Sequence, residues 1–231
     1  MILGLDFIPK NVISKLLSWE IRTLYAKKYS YVDNVIKGTT YYTPLSEDEF
    51  FSYYKNAGHL PAHLDKNTNK AIEVSSGSLG HGLPQALGFA NSKKLKNLDS
   101  KVYVLMGDGE TQEGSIWEAA MLAPKMGLDN LTVLIDRNNL QGYGRPSELV
   151  SFESLDEKFK SFCWEVFRVS GHDFKHLNNA LEAKTDKPKV IICDTIKGKG
   201  VSFMEDELKW HYFIVTDEIL SNSLNELDGD K

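Results

Sequence analysis

The sequence lacks the features that mark disulfide-rich, membrane-spanning and nucleic-acid-binding proteins. Its two cysteines, Cys163 and Cys193, are too few for a disulfide framework and lack the spacing of a metal site. Its apolar runs are too short to span a bilayer, and it carries no secretory signal. Basic residues are not in excess, because the net charge is -5, so nonspecific nucleic-acid binding is not expected. We therefore expect a protein of the reducing cytoplasm with neither a membrane nor a nucleic acid as partner.

The composition is that of an ordinary globular protein, and 231 residues suffice for one large α/β domain over residues 1–231. An acidic tail over 216–231 is expected at the surface or partly disordered. Apolar runs and periodicity predict strands at 102–106, 131–135, 164–169 and 190–195, and helices at 11–29, 46–56, 83–95, 115–126, 151–162 and 171–184. Ile72 and Val74 could form a further short strand. Strands that alternate with helices indicate right-handed βαβ units and a mostly parallel sheet.

Polar residues follow two of these strands directly. Gly107-Asp108-Gly109 ends the first strand, and Asn138-Asn139 follows the next. Each group alone is more typical of a turn. Together they favour a ligand site, because the carboxyl ends of parallel strands meet at one edge of the sheet. A carboxylate, an amide oxygen and close-approaching glycines suit magnesium and a phosphorylated ligand.

Other candidate site residues are ambiguous when taken singly. The glycine-rich stretch at 77–82 precedes a helix whose N-terminus could face an anion, although half of such loops are only tight connections. His63 could be an exposed loop residue, and His211 could simply pack on Trp210. His172 and His176, like His59, have no motif support and are read as surface residues.

The stretch GDGETQEGSIWEAAMLAPKMGLDNLTVLIDRNNLQ, which starts at Gly107, resembles the thiamine-diphosphate motif of transketolases. It is most similar to the separate N-terminal subunit of split transketolases. The resemblance implies a three-layer, doubly wound thiamine-diphosphate-binding fold, the PP domain. It implies a magnesium ion, or Ca²⁺ or Mn²⁺ in its place, held by the side chains of Asp108 and Asn138 and by the carbonyl of Leu140. Gly109 would contact the diphosphate.

Further matches extend from His63 to His211. Gly77-Ser78-Leu79-Gly80 is similar to the transketolase Gly-Pro-Leu-Gly loop, in which the positions of Gly77 and Leu79 contact the aminopyrimidine and thiazolium region of the cofactor. By the same resemblance His63 faces substrate. IKGKGVSFMEDELKWH resembles a family segment whose histidine, here His211, contacts the diphosphate and assists proton transfer. Glu113 matches a glutamate near the subunit interface.

The front of the chain departs from the family pattern. It lacks the Ser-Gly-His-Pro-Gly and Ser-Lys-Gly-His segments, so residues 1–60 form a shortened, divergent part without two expected histidines. His81 stands where most relatives carry glutamine and could touch the site. A specialised donor or acceptor sugar, an incomplete chain and weak catalysis are all compatible with these departures.

The resemblance implies a transferase that moves a two-carbon ketol group from a ketose or its phosphate to an aldose. The glutamate needed for ylide formation lies on a pyrimidine-binding domain, for which this chain has no room. We therefore expect a separate C-terminal subunit, in a heterotetramer with two copies of each chain. A 2-oxo-acid dehydrogenase E1 component, a deoxyxylulose-phosphate-synthase-like enzyme and a degenerate cofactor-binding domain remain alternatives. A Rossmann dehydrogenase does not fit, since Gly-x-Gly-x-x-Gly does not follow the first strand.

Overall fold

A five-stranded sheet forms the centre of the molecule. The computed structural model describes residues 2–3, 63, 65–68, 74–151 and 153–229, so the helices predicted at 11–29 and 46–56 lie outside the described residues. The strands are β1 (Ile2–Leu3), β2 (Val102–Gly107), β3 (Leu131–Arg137), β4 (Glu165–Ser170) and β5 (Lys189–Asp194), in the spatial order β1-β2-β3-β5-β4. The last four are parallel to one another, whereas β1 is antiparallel to β2. The predicted mostly parallel α/β sheet is confirmed.

Six α-helices are described: α1 (Gly82–Leu95), α2 (Gly114–Lys125), α3 (Pro146–Leu149), α4 (Leu155–Ser161), α5 (Phe174–Glu182) and α6 (Asp217–Gly229). Short 3₁₀ turns cover Gly109–Gln112 and Leu208–His211. The helix predicted from residue 151 begins only at Leu155. Val74 lies in a bend, so the short strand considered there is not formed at that residue. Within the described ranges, no helix is long and apolar enough to cross a membrane.

Local sequence sets the ends of two connecting helices. Asp173 precedes α5, and its carboxylate accepts hydrogen bonds from the backbone N–H groups of Lys175 and His176, as a helix N-cap does. After α2 the chain leaves the helix through Gly127, whose φ of +63° is a left-handed conformation that glycine adopts without strain. These two signals set where α5 begins between β4 and β5 and where α2 ends between β2 and β3.

Side chains that alternate along the strands divide the core into two faces. On β5, Val190 and Ile192 pack with residues of α1, α2 and α4, whereas Ile191 and Cys193 pack with α5. The sheet therefore carries helices on both faces, as the predicted three-layer fold requires. Burial raises the pKa of the Cys193 thiol to about 12, so this cysteine remains a protonated core residue, as predicted.

The strand register brings the connecting loops to one edge. Gly107 pairs with Asp136, and Arg137 and Ser170 both pair with Asp194, so the four parallel strands end nearly level. The loops that follow β2, β3, β4 and β5 therefore emerge side by side. In sheets of this kind, ligands bind outside the carboxyl ends of the strands.

The segment after residue 216 differs from the expected surface or partly disordered tail, because α6 folds back on the preceding turns. Leu224 is buried, and Ile219, Leu220 and Leu227 pack near the buried side chain of Trp210. The stretch is acidic at its start, yet its apolar side chains recur at helical spacing. This helical spacing of apolar residues explains why the segment forms a helix that packs on the preceding turns.

Candidate cofactor and metal site

Asp108 lies directly after β2 and is buried, with 1% of its surface exposed. One carboxylate oxygen accepts a hydrogen bond from Gly109 N at 2.7 Å, and the other accepts one from Asn139 N at 2.8 Å. Burial raises the pKa of Asp108 to about 6, although both backbone hydrogen bonds and the nearby Arg137 oppose this rise. The backbone hydrogen bonds and Arg137 therefore offset only part of the free-energy cost of burying the negative charge of Asp108.

The end of β3 meets Asp108 directly. Asn139 adopts φ +58°, and this left-handed turn directs its N–H to the Asp108 carboxylate. The side-chain oxygen of Asn138 accepts a hydrogen bond from Leu140 N at 2.9 Å, so the turn is held at two consecutive residues. The sequence pattern predicted that the ends of β2 and β3 lie together, and the structure shows them joined by a hydrogen bond. The liganding roles of Asp108, Asn138 and Leu140 stay a prediction.

The donor set at these strand ends fits a hard divalent cation. It offers a carboxylate, an amide oxygen and a backbone carbonyl, and magnesium takes a few protein oxygens while keeping other positions for water or phosphate. Each Asp108 oxygen already accepts one N–H, which leaves a lone pair for a metal. A desolvated carboxylate also gains most from a nearby cation. In the parts of the chain that the structure describes, no group of three His, Cys, Asp or Glu side chains could hold a metal elsewhere.

Gln141 joins the two strand-end loops, and no pattern in the sequence singles it out. A Cβ added at Gly109 would lie 2.6 Å from Oε1 and 3.0 Å from Cβ of Gln141, so this side chain packs directly on Gly109. The Gln141 amide also approaches Gln112 Oε1 at 3.4 Å. The Gln141 side chain therefore lies against Gly109, the predicted diphosphate-contacting residue, and reaches the side chain of Gln112 in the loop after β2.

Gly80, the last residue of the predicted cofactor loop, is anchored to the loop after β2. Its N–H donates to Glu110 Oε1 at 2.9 Å, and its carbonyl accepts from Ser115 Oγ at 2.8 Å. Its φ is +80°, and an added Cβ would lie 2.5 Å from Cβ of Glu113. Glu113 itself is exposed at the start of α2. Glu110 was missed by the sequence predictions because its partner is 30 positions away.

The remainder of the loop is exposed, including Ser78 and Leu79, the latter 60% exposed. The structure places His63 against Gly77, since a Cβ added at Gly77 would lie 2.9 Å from Cγ of His63. His81 is exposed, and its Nδ1 lies 3.1 Å from the carbonyl of Leu79. Three predicted site residues, His63, Gly77 and Leu79, therefore form one exposed side of the site.

His211 comes near the strand ends through its neighbour. The Tyr212 ring contacts Gly142 so closely that a side chain there would clash, and the His211 ring lies 4.8 Å from that of Tyr212. Arg145 forms a two-pronged ion pair with Asp206 at 2.7 and 3.1 Å. These contacts fix the segment at 196–212 against the loop that follows β3.

The fold and the joined strand ends define a class, an α/β domain with a candidate ligand site at the carboxyl edge of its parallel strands. A family model described as "Transketolase, thiamine diphosphate binding domain" matches residues 31–222. The chain belongs to this family.

Curated relatives refine the comparison. An apulose-4-phosphate transketolase subunit of Actinobacillus succinogenes is 38% identical over 188 residues, covering 80% of this chain and 68% of the relative. The subunit of the same name from Phocaeicola vulgatus is 42% identical, covering 68% and 57%. The 6-deoxy-6-sulfo-D-fructose transketolase subunit SqwG of a Clostridium species is 38% identical, covering 74% and 63%. The chain thus spans only 57% to 68% of the length of these relatives.

Solved structures agree with the fold. Transketolase from Campylobacter jejuni superposes with a TM-score of 0.75 at 31% identity, covering 80% of this chain and 30% of that one. Transketolase from Leishmania mexicana superposes with a TM-score of 0.66 at 24% identity, covering 80% and 33%, which shows the fold alone. The predicted thiamine-diphosphate-binding fold is confirmed.

Proposed function

We propose that the chain is the cofactor-binding subunit of a thiamine-diphosphate- and magnesium-dependent transketolase. The enzyme moves a two-carbon ketol group from a ketose or ketose-phosphate donor to an aldose acceptor. The observation that carries this proposal is the hydrogen bond between Asp108 Oδ2 and Asn139 N, because it joins the carboxylate and amide loops into one site. The names of the relatives, all transketolase subunits, support the same reaction.

Bound thiamine diphosphate supplies the nucleophilic carbon and the electron sink that cleavage of a carbon–carbon bond requires. The protein supplies binding and orientation. Asp108, Asn138 and the Leu140 carbonyl would hold magnesium, and Gly109 offers its backbone to the diphosphate. His211, beside Tyr212, would contact the diphosphate and move protons, while His63 at Gly77 would face the substrate.

The exposed side of the site supports a divided enzyme. Leu79, which would face the reactive end of the cofactor, is 60% exposed, so the part of the chain that the structure describes does not enclose that end. We propose that a pyrimidine-binding subunit covers it and supplies the activating glutamate, in a heterotetramer with two copies of each chain. The three relatives are named as subunits of their transketolases, which implies that those enzymes contain a further chain.

The substrate proposal remains at the level of class. Relatives are named for apulose 4-phosphate and for 6-deoxy-6-sulfo-D-fructose, so related chains serve sugars with different anionic groups. We propose a sugar or sugar phosphate here. We also propose that residues 1–231 act as one domain in the cytoplasm, in keeping with the two cysteines and the buried, protonated Cys193.

The test is reconstitution with the pyrimidine-domain subunit. Ketol transfer to an aldehyde acceptor is measured for the chain alone, for the assembled complex, and for the complex after chelation and return of Mg²⁺. We expect activity only in the complex, lost on chelation and restored by the metal. The exposed-surface variant Asp129→Asn serves as a control and should retain full activity.

Three outcomes would contradict parts of the proposal. Turnover by the chain alone would refute the divided site. Decarboxylation of a 2-oxo acid without ketol transfer would refute the reaction class. Tight cofactor binding without any turnover in the complex would indicate a degenerate domain.

A further inference from the structure

His172 makes a contact that its surface position does not suggest. It follows β4 by two residues, and its Nε2 lies 2.8 Å from the backbone N of Ile196, which follows β5 by two residues. A backbone N–H only donates, so Nε2 must be the acceptor and must carry no proton. The structure therefore requires a neutral imidazole protonated on Nδ1.

Ile196 is the point at which a long functional segment leaves the sheet. Its carbonyl accepts from Lys199 N at 3.3 Å, and the carbonyl of Lys197 accepts from Asp206 N at 2.9 Å, so the segment folds back on its own start. Asp206 then pairs with Arg145 of the loop after β3. These contacts connect the segment that begins at Ile196 with the loop after β3, on which Tyr212 also packs.

We propose that His172 is a positioning residue: as a neutral acceptor for the Ile196 N–H it fixes the segment at 196–212 beside the cofactor site. Its effect on catalysis rests on the function proposed above, through His211. The hydrogen bond itself does not depend on that function. His172 touches neither substrate nor cofactor in this assignment, and it acts through the backbone.

The charged groups around His172 favour its neutral form on balance. Partial burial and the nearby Lys199 lower the pKa of His172, whereas Glu205 raises it. Lys199 and Glu205 are themselves paired at 3.1 Å, and Glu205 also accepts from Gly200 N at 3.0 Å. On the side of α5, Asp173 is engaged with backbone N–H groups and lies 3.3 Å from His176 Nδ1.

The hydrogen bond between His172 and Ile196 should be lost at acidic pH. The imidazole binds its second proton less readily in the folded chain than in the unfolded chain, so the contact is intact at neutral pH. It is lost only as pH falls through the lowered pKa of His172, which lies below the ordinary histidine value of about 6.5. Protonation places a hydrogen on Nε2 and removes the acceptor.

The experiment compares three variants of the full chain by hydrogen exchange of the Ile196 amide between pH 5 and 8. His172→Phe keeps the ring but has no acceptor. His172→Gln keeps an acceptor that does not titrate. His176→Gln alters the neighbouring exposed histidine and is the matched control. Imidazole ¹⁵N shifts of the unaltered chain report the tautomer of His172 in the same samples.

We expect His172→Phe to exchange the Ile196 amide about 3- to 10-fold faster at pH 7, as loss of one hydrogen bond predicts. His172→Gln should restore protection and abolish its loss at low pH, and His176→Gln should behave as the unaltered chain. Unchanged exchange in His172→Phe, or a proton on Nε2 at pH 7, would overturn the proposal. Because neither readout uses the cofactor, failure of the proposed enzyme activity would leave this test intact.

Discussion

The two sides of the cofactor site are built differently. At the strand ends, Asp108 is 1% exposed and is held by two backbone N–H groups. In the glycine loop, Leu79 is 60% exposed, whereas Gly80 at its end is fixed by hydrogen bonds to Glu110 of the neighbouring loop and to Ser115 in the first turn of α2. The predicted metal and diphosphate side is thus buried and held by backbone hydrogen bonds, whereas the side predicted to face the reactive end of the cofactor is exposed among the described residues.

We therefore expect the buried strand ends to bind the cofactor and the exposed side to take part in the reaction. A parallel sheet can position groups at its strand ends without help, because the backbone ladder fixes each end relative to its neighbour. The exposed glycine loop has no such support. We therefore expect changes at the strand ends to abolish cofactor binding by the isolated chain, and changes in the loop to weaken it in proportion to the contacts they remove.

The largest effect is expected for Asp108→Ala, which removes the carboxylate from the predicted metal site. Magnesium-dependent affinity for thiamine diphosphate should fall at least about 100-fold, because even groups behind metal ligands are worth 10- to 100-fold. Calorimetric titration measures it, and circular dichroism checks the fold. Asp108→Asn, which preserves the shape, should fall similarly, whereas Asp129→Ala should not. Unchanged affinity in the Asp108 variants would refute the metal assignment.

Gly80→Ala is expected to have the next largest effect. The φ of +80° disfavours any side chain, and the added methyl would meet Glu113 at 2.5 Å. Such backbone strain costs about 1–2 kcal/mol, so cofactor affinity should fall by roughly 5- to 30-fold. Gly88→Ala in α1 is the matched control, since an added Cβ there meets nothing within 4 Å. Equal affinities for the two variants would show that the loop conformation does not matter for binding.

The pH dependence of the strand-end site should have opposite signs with and without metal. The pKa of Asp108 is raised from 3.8 to about 6, so its ionisation opposes folding of the metal-free chain. Stability of the metal-free chain should therefore decline as pH rises from about 4 to 6. Metal affinity should instead rise about tenfold between pH 5 and 7, as the carboxylate ionises. Denaturation and magnesium titration at each pH test both trends, and Asp108→Asn should remove them.

Glu110→Ala should give the smallest of these changes. It removes the acceptor for the Gly80 N–H but leaves the strand ends intact. Loss of one partly buried hydrogen bond predicts an effect of about 3- to 10-fold on cofactor affinity. Glu110→Gln should recover most of it, and Glu118→Ala, on the exposed face of α2, should have none. A loss as large as that of Asp108→Ala would contradict the contrast between the two sides.

The sequence predicted strands and helices well where the residues of one element alone determine its structure. The apolar runs predicted β2, β3 and β5 to within two residues, and the polar groups after them marked the joined strand ends. The expected start of α4 at residue 151 was wrong, because Ser154 is still extended and the helix begins at Leu155. For α6, the acidic residues were weighted above the apolar spacing of Ile219, Leu220 and Leu224, which the structure shows to be decisive.

Contacts between distant loops could not be read in the same way. Glu110 meets a residue 30 positions earlier, and His172 meets one 24 positions later, and neither pair has a spacing that a local pattern predicts. Both contacts join a side chain to a backbone N–H, so the partner's residue type carries no information. Such contacts follow only from the strand order, which brings the loops together.

The two cysteines give the chain a practical property. Cys193 is buried and its thiol stays protonated, whereas Cys163 is exposed at the end of β4 away from the site. Six residues of β4 separate that end from the functional edge, a span of about 20 Å. A maleimide dye should therefore attach at Cys163 alone. Such a dye could report docking of a second subunit while leaving the cofactor loops untouched.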